Sequence, residues 1–201
     1  MTSPSSVEDD VAYLKQLAQA GEAGVPQGGK HFLLWAVVVA LGLGVTYGVV
    51  SNTLPIERSA LNYCWGAVLA IGWIGSFIMG RADAAKPEGL RFANRIATAT
   101  WIATGVGLTA IWLGLAATGA MTQAVMMPIS GAAMGVATVV SATVFRLRWL
   151  YAVAAAWWVV SFVSFFLLQR IEFILFSAAA ILVLQGGTGL ALLALERRQA
   201  R

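Results

Sequence analysis

Few side chains in this sequence could perform catalytic chemistry, and they are far apart along the chain. There is one cysteine, Cys64, and one histidine, His31. A structural zinc site needs about four ligands and a catalytic one about three, and a nucleophilic cysteine needs a base beside it. Because these two residues are expected at opposite depths in a membrane, the sequence predicts no metal, no cofactor and no thiol chemistry for the chain alone.

Motifs for nucleotide binding and hydrolysis are also missing from the sequence. It has no P-loop and no Rossmann fingerprint. Its apolar segments hold no paired aspartates and no histidine that could activate a serine. No charged residue lies near the centre of any segment, which argues against a proton-coupled pump or an ion relay. We therefore expect a protein that is not an enzyme.

The clearest polar candidate is Gln185, near the middle of the last apolar segment and followed by Gly186, Gly187, Thr188 and Gly189. Polar groups at this depth are costly and for that reason often functional. The glycines could loosen the helix and expose carbonyl groups, as at transporter sites. Alternatively, Gln185 hydrogen-bonds to a helix that the glycines bring close.

A candidate intramembrane polar site combines Gln185 and Thr188 with two residues at the outer ends of spans, Asn62 and Glu172. Asn62 and Glu172 would line an outer vestibule leading to the midplane. The alternative is that Glu172 belongs to exposed interfacial ion pairs.

Six apolar segments must position these residues. Hydrophobic residues make up 59% of the 201-residue chain and charged ones 11%, against about 25% charged in soluble domains. An apolar run of about 20 residues crosses a bilayer as a helix. The uncharged segments of that length are 32–50, 60–80, 96–117, 124–145, 149–168 and 173–195. The predicted fold is all-α: an integral membrane bundle of six transmembrane helices over residues 31–196.

The basic residues predict the orientation of this bundle. With both termini on one side, that side holds eleven of the 13 Lys and Arg residues, and only Arg58 and Arg170 lie opposite. Positive residues are retained in the cytoplasm. We therefore expect a cell-membrane protein with its N-terminus and its short basic tail, 197–201, in the cytoplasm. The basic pI reflects this topology, and no nucleic-acid partner is expected.

Small residues indicate which helices pack closely. GxxxG pairs occur at Gly44 and Gly48 in the first span and at Gly131 and Gly135 in the fourth. The fourth span is the best candidate for the bundle interior. The spans also read as three successive helical hairpins, and whether these are a true repeat is left open.

Residues 1–30 form a cytoplasmic segment in which a short amphipathic helix is predicted over about residues 7–20, followed by a Gly-rich link. Val11, Leu14 and Leu17 share one face of this helix. Its acidic residues outnumber Lys15, which disfavours binding to anionic lipid. The apolar face is instead a candidate docking surface for a partner or for the basic loop 81–95; the alternative is a solubilising leader.

The leading interpretation is a non-enzymatic accessory or regulatory membrane component. Its partners would be the lipid bilayer and, through the N-terminal helix, another membrane or cytoplasmic protein. The alternative is a small permease or channel for an uncharged or weakly polar solute bound around Gln185. A homo-oligomer is left open.

Overall fold

The computed structural model describes residue 11 and residues 26–84, 92–119, 123–168 and 170–199. Over these residues the chain is helical, without strands. The helices are α1 (Gly29–Val50), α2 (Leu61–Ala84), α3 (Phe92–Ala117), α4 (Gln123–Phe145) and α5 (Arg148–Leu167), followed by α6 (Glu172–Ala180), a π-helical segment (Ile181–Gly186) and α7 (Gly187–Gln199). A 3₁₀ turn, Arg58–Ala60, precedes α2. The last three helical elements form one continuous helix, which is the sixth candidate span.

Six helices in this part of the chain are long and apolar enough to cross a membrane, which confirms the predicted number of long apolar helices. The predicted N-terminal helix lies outside the described residues except for Val11, which is helical and exposed. The fourth of these helices has the largest buried share, 44%, against 39% for the sixth and 11% for the second and third.

Two helix ends adopt the same chain-reversing geometry. At the end of α4, Arg146 has φ 55°, its N–H donates to Thr143 O, and the Leu147 N–H donates to Ala142 O. At the end of α1, Asn52 has φ 57° and the next N–H, that of Thr53, donates to Gly48 O. These are the bonds of a Schellman motif, and at α4 they reverse the chain within two residues.

The helices follow one another around a ring. α1 packs on α2, α3 on α4, α4 on α5 and α5 on α6, and α1 closes the ring by packing along α6, the π segment and α7. α2 and α3 meet through indole rings, Trp73 over Gly105 and Trp112 over Gly66. The most extensive helix contact is between α4 and α5. Because that pair crosses a hairpin boundary, the packing does not favour three self-contained hairpins.

The bundle has two ends. One end, which we call the Lys30 end, is where α1, α3 and α5 begin and where α2, α4 and α7 end. The opposite end is the Arg170 end.

The main buried cluster lies between α1, α4, α5 and the sixth span and consists of Ala36, Leu43, Met127, Trp157, Phe173, Ile174 and Ile181. A smaller cluster of Ala93, Ala97 and Phe145 lies toward the Lys30 end.

The two predicted GxxxG pairs have different outcomes. A methyl group added to Gly131 would lie 3.1 Å from Ser161 Cβ, and one added to Gly135 would meet the Trp158 indole. Gly131 and Gly135 therefore allow α5 to pack closely against α4, as predicted for a helix contact. Gly48 instead packs against Leu54 in its own turn, and Gly44 has open space around it. The prediction was wrong for Gly44 and Gly48 because that face of α1 points away from the neighbouring helices.

Candidate functional site

Gln185 and Thr188 lie together on the buried side of the sixth span, with 6% and 3% of their surfaces exposed. The glycine run does not break the helix. Instead, the turn from Ile181 to Gly186 widens to π geometry, and the Thr188 hydroxyl donates to Leu184 O at 2.5 Å. Single π turns within α-helices frequently occur at functional sites.

Gln185 differs from the other buried polar residues in its hydrogen bonding. Six of them donate a hydroxyl hydrogen to the carbonyl oxygen four residues earlier: Thr46, Thr138, Ser141, Ser164, Ser177 and Thr188. The Gln185 amide makes no hydrogen bond to any residue that the structure describes. A buried polar group without a partner costs about 1–3 kcal/mol. The expected bond from Gln185 to a neighbouring helix is therefore not formed within that part of the chain.

Asn62 and Glu172 are exposed at the Arg170 end of the bundle. Glu172 begins α6, thirteen positions before Gln185, which is about 20 Å along a helix. α2, which carries Asn62, is not one of the helices that pack closely on the sixth span. The structure thus brings Gln185 and Thr188 together and leaves Asn62 and Glu172 at a distance from them.

Tryptophan side chains tie neighbouring helices together through their indole N–H groups. Trp35 donates to Ser76 Oγ at 2.9 Å and Trp65 to Thr46 Oγ1 at 3.2 Å, both between α1 and α2. Three further bonds join other pairs of helices. Trp73 of α2 donates to Thr109 Oγ1 of α3, Trp101 of α3 donates to Ser141 Oγ of α4, and Trp158 of α5 donates to Ala132 O of α4. Sequence reasoning missed these pairs because the partners lie 19 to 41 residues apart.

Trp112 and Trp157 are not used in this way. The Trp112 nitrogen is buried without a hydrogen-bond partner among the described residues. Trp157 is 3% exposed and lies in the main buried cluster. The Trp157 indole likewise makes no hydrogen bond within the described ranges.

At the Lys30 end, the chain entering α1 is held against the bundle. Pro26 is buried, and the Gln27 N–H donates to Asn94 Oδ1 at 3.0 Å. His31 Nε2 lies 3.6 Å from Asp83 Oδ2. These contacts join the start of α1 to the end of α2 and the start of α3.

The candidate docking face of Val11, Leu14 and Leu17 lies outside the described residues except for Val11. Cys64 is a free, partly exposed thiol. Among the residues that the structure describes, no three His, Cys, Asp or Glu side chains come together as a metal site.

Comparison with known proteins gives no relative: no family model, no curated protein and no solved structure matches this chain.

Proposed function

We propose that this chain is a multi-pass protein of the cell membrane that acts as a non-enzymatic accessory or regulatory component through its N-terminal segment. The observation that carries the proposal is the hydrogen bond from Gln27 N–H to Asn94 Oδ1, together with the burial of Pro26. These contacts attach the chain that follows residues 1–25 to the start of α3. A partner that binds this segment would therefore act directly on the bundle.

The distribution of charge supports membrane insertion with the Lys30 end in the cytoplasm. In the described part of the chain, that end exposes Lys30, Arg81, Arg95, Arg146, Arg148, Arg197 and Arg198. The Arg170 end exposes Arg58 and Arg170 beside Glu57 and Glu172. Because positive residues are retained on the cytoplasmic side, this asymmetry favours cytoplasmic termini.

A non-enzymatic role is supported by how the bundle uses its polar side chains. Most buried hydroxyl groups bond to their own helix, and five indoles bond across helix contacts. Such bonds position helices. Within the described ranges they leave few polar groups in the apolar helices for proton transfer or nucleophilic attack.

The orientation is tested with two exposed positions at opposite ends of α2, Ser59 and Ala82. In a Cys64→Ser background, Ser59→Cys should react with a membrane-impermeant maleimide in intact cells. Ala82→Cys should react only after lysis. The reverse pattern would overturn the orientation.

The docking role is tested by placing a photo-crosslinking amino acid at single N-terminal positions of the full-length chain in cells. Leu14 and Leu17, on the predicted apolar face, should give one discrete adduct. Lys15 and Gln19, on other faces of the same predicted helix, are the matched controls. Equal crosslinking at all four positions, or no adduct at any, would contradict a partner-binding face.

The permease alternative is favoured by Gln185, a buried amide without a partner in the described chain. Asn62 and Glu172 lie at a distance from Gln185, so these two residues do not join it in one solute pathway. Solute flux that Gln185→Leu abolishes, with the protein still folded, would support this alternative over the accessory role.

A further inference from the structure

Two side chains near the middle of the bundle have hydrogen-bonding groups that no described residue satisfies. Gln185 is 6% exposed and Trp157 is 3% exposed. Five of the other indoles donate hydrogen bonds to neighbouring helices. The absence of such bonds at two neighbouring core positions therefore needs its own physical explanation.

Gln185 and Trp157 border the same buried cluster. Trp157 packs in that cluster with Ala36 and Ile181. Ile181 lies about one turn before Gln185, and a methyl group added to Gly186 would lie 3.5 Å from Ala36 Cβ. Both α1 and α5 contact the π segment. The two polar side chains thus lie where α1, α5 and the π segment meet.

The polar atoms of Gln185 and Trp157 are not completely covered. Within the described ranges, the Trp112 nitrogen is the one polar side-chain atom that is both fully covered and unbonded. The amide atoms of Gln185 and the indole nitrogen of Trp157 are also unbonded, so each retains some accessible surface.

We propose that Gln185 and Trp157 bind one small, neutral, lipophilic molecule that carries a carbonyl group. An indole N–H only donates, and a glutamine amide offers two further donors beside its own oxygen. A carbonyl oxygen has two lone pairs and accepts from both side chains at once. The ligand is neutral because the described spans hold no charged side chain at this depth to balance a charge. This site does not depend on the accessory role.

The probe is decylubiquinone, a lipophilic molecule with ring carbonyl groups, and the matched control is decylbenzene, which lacks them. The full-length chain in nanodiscs is dialysed against the probe, and retention is compared with that of empty nanodiscs. We expect saturable binding of about one probe per chain. Gln185→Leu and Trp157→Phe should each weaken it about tenfold, the effect of losing one hydrogen bond.

Thr138→Val is the control variant, because the buried Thr138 hydroxyl bonds to Met134 O within its own helix. It should bind the probe as the wild type does. Gln185→Met, which keeps an unbranched side chain, replaces Gln185→Leu if the leucine variant does not fold.

Three results would overturn the site. The first is equal saturable retention of decylbenzene, and the second is probe binding unchanged in both Gln185→Leu and Trp157→Phe. The third is no saturable binding to the wild type together with a higher melting temperature for Gln185→Leu. That last pattern would identify the amide as a buried group that holds at most a water molecule.

Discussion

Gly29 and Gly189 lie against each other where α1 crosses α7. A methyl group added to Gly189 would lie 2.9 Å from Gly29 O, and one added to Gly29 would lie 2.8 Å from Gly189 O. The two backbones are therefore in direct contact, as small residues allow between membrane helices. This contact closes the ring of helices at the Lys30 end.

Gly189→Ala should destabilise the protein, because the added methyl group meets backbone atoms that cannot rotate away. Overpacking of this kind costs about 1–3 kcal/mol. The matched control is Gly187→Ala, two residues earlier in α7, where an added methyl has open space. Thermal unfolding in detergent should give a lower melting temperature for Gly189→Ala alone. Equal melting temperatures for the two variants would show that the close contact is absent.

The hydrogen bond between Trp73 and Thr109 should couple α2 to α3. The Trp73 indole donates to Thr109 Oγ1 at 3.1 Å. In a double-mutant cycle with Trp73→Phe and Thr109→Val, we expect a coupling free energy of about 0.6 kcal/mol, typical of bonds between membrane helices.

The control cycle pairs Trp73→Phe with Thr118→Val, because the Thr118 hydroxyl bonds to carbonyls of its own helix. Its coupling free energy should be near zero. Reversible unfolding in mixed micelles measures both cycles, and equal coupling in the two would argue against a specific bond.

Asn94→Leu should loosen the attachment of the N-terminal segment. It removes the oxygen that accepts from the Gln27 N–H, whereas Asn94→Asp keeps such an oxygen. Losing a bond worth about 1 kcal/mol speeds opening roughly fivefold. Hydrogen–deuterium exchange at the Gln27 amide should rise by about that factor in Asn94→Leu and by less in Asn94→Asp. Unchanged exchange in both variants would remove the structural basis for coupling the segment to the bundle.

Arg146→Gly should stabilise the turn between α4 and α5. Arg146 has φ 55°, a left-handed conformation that costs a residue with a Cβ about 1 kcal/mol relative to glycine. Arg148→Gly removes the same charge from the first residue of α5, where the backbone is helical and glycine is unfavourable. Denaturation of both variants should show a gain of about 1 kcal/mol for Arg146→Gly and none for Arg148→Gly.

The number and approximate positions of the long apolar helices could be predicted because each contains a long uncharged run between polar turns, although the helices extend up to four residues beyond the predicted limits. Asn52 and Arg146 mark two of those turns in the sequence, and both have positive φ in the structure. The burial of the fourth span was predictable from Gly131 and Gly135, since small residues at membrane depth indicate a close helix contact. These conclusions need only local composition and spacing.

The contacts between distant residues required the tertiary structure. Whether Gly44 or Gly135 admits a neighbouring helix depends on how each helix is rotated in the bundle, and spacing alone does not specify that rotation. The same holds for Trp35 and Trp101. In the sequence they lie near the ends of apolar segments, where tryptophan typically marks a membrane interface. In the structure their indole N–H groups donate to Ser76 and Ser141. An indole finds its partner only after two helices have packed.

For the candidate site, the sequence determined that Gln185 lies deep in an apolar span, because its position in an uncharged run sets its depth. It did not determine what surrounds the amide. Only the tertiary structure placed Gln185 in a π turn beside the cluster that holds Trp157, and separated it from Asn62 and Glu172. Depth follows from counting residues along one helix, whereas the surroundings of a side chain depend on three or more helices meeting.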